Sequence, residues 1–298
     1  MQQRVYPLHI CQKTMNVEEN VNNRKKLLAL FGLKWNPFLS DIPAGELWHT
    51  PGIDNFCFRV ENLVMDGGFA LISGDPGQGK SKVLQLLAHR LDGLNEIVVG
   101  IMERPQSSLS DFYRELGTLF GVNLRLANRY GGFKALRERW RDHIKNTLMR
   151  PVLLVDEAQE MQTACLNEIR LLGSAVFDSQ CLLATVLCGD MRLPERFRMP
   201  ELMSMGSRIR IRLILEPYDR KSLISYMKHS LEKAGASHLM TEGLIETLTD
   251  HCAGNLRILN NLSSELLEVG AQKEVTQLDE KLYLEVFSTY RTSTKKRY

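Results

Sequence analysis

Gly74-Asp75-Pro76-Gly77-Gln78-Gly79-Lys80-Ser81, set directly after the apolar run Phe69-Ala70-Leu71-Ile72, has the G-x-x-x-x-G-K-S spacing of a phosphate-binding loop. Gly74, Gly77 and Gly79 admit backbone conformations closed to residues with a Cβ, and Pro76 restricts the turn. Backbone N–H groups then converge on phosphate, aided by the partial positive charge of a helix starting near Gly79. Lys80 is placed to reach the β- and γ-phosphates and the Ser81 hydroxyl to hold magnesium. The eight loop residues and Lys82 are the candidate nucleotide contacts, and the expected ligands are ATP and Mg2+.

Further along comes Pro151-Val-Leu-Leu-Val-Asp156-Glu157-Ala-Gln159. Four apolar residues ending in two acids fit a strand buried on both faces that delivers carboxylates to the carboxyl edge of a parallel sheet. Asp156 is then the residue that positions magnesium, and Glu157 the base that orients or deprotonates an attacking water. Together the two motifs predict a magnesium-dependent ATPase rather than a passive nucleotide binder.

The 298 residues suffice for a nucleotide-binding core and a smaller satellite, and 44% hydrophobic residues exclude wholesale disorder. The apolar runs are shorter than a membrane span and no signal-peptide pattern is present, so a cytoplasmic protein without a membrane partner is expected. Six cysteines without a C-x-x-C pair read as reduced core residues, and seven histidines show no metal-ligand spacing. The net charge of +3 does not by itself imply a nucleic-acid partner. The basic residues are nonetheless clustered. Arg125, Arg129, Lys134, Arg137, Arg141 and Lys145 form one group, and a second runs from Arg192 to Arg212. The first is read either as a solvated helix face or as a surface that tracks the phosphates of double-stranded DNA.

Strand-like runs occur at 69–73, 96–102, 152–155, 182–188 and 209–215. Helical patterns fall at 22–31, 52–65, 80–91, 109–120, 133–148 and 163–176. This alternation predicts an α/β fold, a five-stranded parallel sheet flanked by helices. Beyond Pro217 the pattern is helical only, at about 219–234, 241–252, 255–270 and 278–287. The expected division is an N-terminal extension over 1–27, a core over 28–217, a helical lid over 218–288 and a basic tail over 289–298.

With these motifs the chain resembles an AAA+ ATPase. Phe31-Gly-Leu with Pro37-Phe38, Asp156-Glu-Ala-Gln159, Ser207-Arg208-Ile209 and Leu215-Glu-Pro217 resemble the ExeA-type branch, which is similar to the transposition regulators MuB and TnsC. The resemblance implies a sensor 1 position at Asp190, where relatives carry Gln, Asn or Thr. It implies an arginine finger at Arg208, with Arg196 and Arg198 as substitutes; the rival view places Arg208, Arg210 and Arg212 on the solvent face of an edge strand. It further implies a sensor 2 arginine at Arg257 and an adenine contact near Trp48, which reads equally as a core aromatic.

The implied function is a transposition helper, a homo-oligomeric ring or helical filament on double-stranded DNA that recruits a transposase. The alternatives are an ExeA-like secretion ATPase and a P-loop small-molecule kinase. ExeA-type proteins carry a membrane segment and a further domain after the core, whereas this chain ends about ten residues past its last helix, which ranks the secretion reading second.

Overall fold

The computed structural model describes residues 24–103, 105, 108–123, 129–177 and 179–293. They divide into two compact units. One comprises residues 49–217. The other joins residues 24–48, which include a helix (α1, 24–31), to residues 218–293.

In chain order the first unit runs α2 (Pro51–Asp66), β1 (Gly68–Gly74), α3 (Lys80–Asp92), β2 (Val99–Met102), α4 (Leu109–Leu119), α5 (Arg129–Thr147), β3 (Val152–Val155) and α6 (Thr163–Gly173). A short hairpin of β4 (Ser174–Ala175) and β5 (Gln180–Cys181) follows, then β6 (Ala184–Gly189), α7 (Arg192–Arg196), α8 (Met203–Gly206) and β7 (Ile209–Leu215). Five strands form one sheet in the order β2-β3-β6-β1-β7, and every pairing is parallel. The expected five-stranded parallel sheet flanked by helices is thus present.

Burial explains which runs became inner strands. All residues of β1, β3 and β6 are buried, as a sheet covered by helices on both faces demands. At the edge, β7 buries Ile209, Ile211 and Leu215 and exposes Arg210, Arg212 and Ile214, the period-two alternation of a strand covered on one face. Under the sheet, Trp140 of α5 is buried edge-on against Phe120, with ring centroids 5.3 Å apart. Such a pair adds about 0.5–1.5 kcal/mol to the burial of its rings.

Several element boundaries differ from the sequence expectation: β2 begins at Val99 rather than at residue 96, and the last helix runs on to Ser293 rather than ending at 287. Helix α6 stops at Gly173 rather than Val176, because the chain reverses in the β4–β5 hairpin to enter β6; Val176 and Phe177 take positive φ at its tip. Helix α5 starts at Arg129, one turn before the expected Phe133.

In the second unit α9 (Arg220–Ala234), α10 (Glu242–His251), α11 (Leu256–Gln272) and α12 (Glu280–Ser293) follow one another. Asp219, Thr241 and Asn255 cap α9, α10 and α11 by accepting N–H groups of Ser222, Leu244 and Ile258. Leu223, Met227, Leu244, Leu248, Leu259 and Leu266 form the core, and Phe31, Leu33 and Phe38 are buried in it. The allocation of residues 28–48 to the sheet-bearing core is therefore corrected. Their aromatic and aliphatic side chains complete the helical unit, which would otherwise expose apolar faces.

Cys57, Cys165, Cys188 and Cys252 are buried free thiols and Cys181 is a half-buried one, while Cys11 lies outside the described residues. Among the described residues no helix is long and apolar enough to cross a membrane.

Candidate functional site

The loop Gly74–Ser81 leaves the carboxyl end of β1 and turns into α3. Gly77 and Gly79 have φ of +90° and +86°, conformations that side chains strain to adopt. Gly74 is fixed by proximity, because a Cβ there would stand 2.6 Å from the carbonyl oxygen of Leu215 on β7. Lys80 is buried, and its Nζ donates to the carbonyls of Gly74 at 2.9 Å and Asp75 at 3.0 Å. The ammonium is thus tethered inside the loop with a third donor left over. Ser81 is exposed at the second position of α3, and Lys82 donates to Gln85 at 3.0 Å. Asp75 and Pro76 are exposed, whereas Gln78 is buried.

Strand β3 delivers Asp156 and Glu157 to the same edge of the sheet, one strand beyond β6. The Asp156 Oδ1 accepts the Glu157 N–H at 2.9 Å. Glu157 is left-handed, with φ +50° and ψ +37°, at the head of a 3-10 turn over Ala158–Glu160. A non-glycine residue in that region costs free energy and is a mark of functional segments. Burial pushes the Cys188 thiol far up, and the charge of Asp156 beside it adds to the effect. Among the described residues no group of three or more His, Cys, Asp or Glu side chains could hold a metal ion. The donor set, a serine hydroxyl and one aspartate, suits magnesium that arrives with phosphate oxygens rather than an all-protein cage.

Asp190, the expected sensor 1 position, follows β6 at the same edge, and its acid is already engaged. Arg192 donates to it from Nε at 2.8 Å and from its backbone N–H at 2.9 Å, and the same guanidinium reaches Glu160 at 2.7 Å. Hydrogen bonding from Arg192 holds the Asp190 carboxyl below the usual range. The adjacent guanidinium of Arg192 neutralises the acid at this edge. Two polar residues that organise this edge carry no motif signal of their own. Arg192 reads in the sequence only as part of a basic cluster, and Gln159 only as the last letter of the acidic motif.

Arg208 precedes β7, with a guanidinium donor on the Ser204 carbonyl. Ile209 lies opposite Phe69 at the start of β1 and Leu215 opposite Gly74 at its end. Arg208 therefore stands at the opposite edge of the sheet, about 20 Å along the strand from its own phosphate loop. Arg196 donates to the Gln159 carbonyl at 2.6 Å and Arg212 to that of Gly206 at 3.1 Å, so both serve contacts within the unit. Arg198 is exposed beyond α7.

Trp48 belongs to the helical unit, contrary to its placement on the core. Its ring packs edge-on against Tyr218 and Tyr226, each 5.6 Å away, and its Nε1 donates to Ser225. The large indole finds its apolar partners on and before α9. Arg257 is the second residue of α11 in that unit, and its side chain is exposed.

Of the basic cluster, Arg125 lies outside the described residues and Arg129 begins α5. Lys134, Arg137, Arg141 and Lys145 follow at three- and four-residue spacing on one face of α5, away from buried Leu136 and Trp140. Arg137 does not share the exposure of the others. It donates to the Leu171 carbonyl at 3.1 Å and lies 5.0 Å from the Phe133 ring, and burial lowers its pKa. Lys134 is 65% exposed and 3.8 Å from Glu138, a surface pair of little energetic weight.

Residues 64–197 match the AAA domain family. The chain is 16% identical to the Aeropyrum pernix ORC2 protein in its ADPNP–ADP complexes, with a TM-score of 0.65 over 85% of this chain and 71% of that one. It is 19% identical to Drosophila ORC bound to DNA, with a TM-score of 0.62 over 99% of this chain and 71% of that one. The fold is the AAA+ fold. In sequence the chain is 29% identical over 205 residues to general secretion pathway protein A of Aeromonas hydrophila. The alignment covers 67% of this chain and 37% of that relative, so the chain spans little more than a third of it.

Proposed function

We propose that the protein is an AAA+ ATPase of the ExeA type that hydrolyses magnesium-ATP and uses the cycle to switch an assembly. The observation that carries this reading is the meeting of the Lys80 loop with Asp156 and Glu157 at one sheet edge. The loop N–H groups and Lys80 hold the β- and γ-phosphates, and Glu157 accepts a proton as water attacks the γ-phosphorus and the bond to the β-phosphate oxygen breaks. Magnesium, when held by Ser81 and Asp156, offsets phosphate charge. Arg208, remote from its own loop, is assigned to the nucleotide site of a neighbouring copy, which makes the oligomer part of catalysis. Phosphate release from ATP is expected to require magnesium and to fall to background when the ion is chelated. ATP binding without turnover overturns the reading.

The sequence match to a secretion-pathway protein favours a secretion-associated role over the transposition helper. The point at which this chain ends does not weigh against that role, because the alignment covers 37% of the relative. The DNA-bound alternative keeps one specific observation, the basic stripe on α5, together with the likeness to an ORC that binds DNA. The transposase is the client of this second reading only. For DNA, Arg141→Glu with Lys145→Glu is the informative variant, since Arg137 holds α5 to α6. Loss of two phosphate contacts is expected to weaken duplex binding about tenfold or more near physiological salt and to flatten its salt dependence by roughly two. Equal affinity and slope in filter binding overturn the DNA reading and leave ATP hydrolysis untouched.

A further inference from the structure

The Gln159 side chain is 7% exposed and sits between the two halves of the site. Its Nε2 donates to Glu157 Oε2 at 2.5 Å, and its Oε1 accepts the Asp190 N–H at 3.2 Å. The orientation of the amide is dictated by its partners. A carboxylate only accepts and a backbone N–H only donates, so a flipped amide would set oxygen against oxygen and nitrogen against nitrogen. The space is equally restricted. A Cβ at Gly189 would fall 2.5 Å from Gln159 Oε1 and 2.9 Å from Leu193, so glycine at the end of β6 lets the amide lie there.

Two further contacts hold the same turn to the same junction. Arg196 of α7 donates to the Gln159 carbonyl at 2.6 Å, and Arg192 joins Glu160 to Asp190. The 3-10 turn that carries Glu157 is thus fastened to the β6–α7 junction at three places. Of these three links, the Gln159 amide is the one that also touches the Glu157 carboxylate itself.

We propose that Gln159 is a positioning residue for ATP hydrolysis, orienting the Glu157 carboxylate and tying its position to the end of β6. This rests on the ATPase reading above. The amide touches no reacting atom and acts through Glu157. Removing it leaves phosphate binding by the Lys80 loop in place and releases the base from its working direction.

The test uses the full chain. Gln159→Leu keeps the side chain's size and removes both hydrogen bonds, and Gln159→Glu keeps an acceptor for the Asp190 N–H while facing Glu157 with a second acid. Each is expected to lower kcat for ATP about 10- to 100-fold, the range that misplacement of a catalytic group produces, with KM within about twofold. On a Glu157→Gln background, single-turnover hydrolysis is expected to show no further loss from Gln159→Leu, because the amide acts through the group already removed. Thermal melting and binding of a fluorescent ATP analogue verify the fold, and if Gln159→Leu fails to fold, Gln159→Glu decides the matter. Unchanged kcat, an equal additional loss on the Glu157→Gln background, or an effect confined to KM overturns the positioning role. Wild-type protein that binds ATP without hydrolysing it overturns the ATPase reading instead.

Discussion

Glu157→Gln is expected to lower steady-state phosphate release about 10²- to 10⁴-fold while leaving ATP affinity within about threefold. The substitution keeps the side chain's volume and removes its capacity to accept a proton. Asp156, which accepts the Glu157 N–H at 2.9 Å, keeps that bond because it goes to the backbone. The binding half of the site therefore stays intact and the chemical half is disabled. If Arg208 completes the site of a neighbour, the variant should also accumulate as an ATP-bound oligomer, visible as a faster-sedimenting species that wild-type protein forms only transiently. Normal turnover in this variant removes Glu157 from the role of base. Lost turnover together with lost ATP binding shows a damaged site and not a missing base.

Lys80→Ala is expected to act at the earlier step. The Lys80 ammonium is buried, with two of its three donors on the carbonyls of Gly74 and Asp75. Its removal takes away the charge aimed at phosphate and frees two carbonyls that point into the same loop. Charge-assisted hydrogen bonds are the strong ones, and loss of ATP affinity by about two orders of magnitude or more is expected, consistent with roughly 1.5–3 kcal/mol per bond to a charged group. Isothermal titration with ATP reads the effect directly. Turnover at saturating ATP and ATP-dependent assembly should be lost together, since both follow from one bound nucleotide. Affinity within a factor of a few of wild type would mean that the loop binds phosphate through its backbone alone.

The loop and the acidic strand were legible in the sequence because both depend on contiguous residues. Gly74 to Ser81 form their motif within eight positions, and Val152 to Glu157 combine strand and acids within six. The sheet was legible for a related reason: β3, buried on both faces, is a continuous apolar run, β7, covered on one face, alternates with period two, and both start and end at the expected residues. Assignments that depend on distant contacts fared differently. Trp48 precedes the first strand in sequence yet packs on Tyr218 and Tyr226, 170 or more positions away. Arg137 and Arg141 look alike in a basic run, and only the packing of α5 against α6 separates a structural arginine from an exposed one.

By itself the sequence determined the phosphate loop, the paired acids and the α/β order of the core, since local backbone geometry and apolar burial are written into neighbouring residues. Tertiary structure alone decided that residues 28–48 complete the helical unit and that Gln159 joins Glu157 to the end of β6. Strand order sets the second of these contacts. It brings the end of β6, about thirty residues further along the chain, beside the turn after β3, and no local pattern in the residues records that meeting.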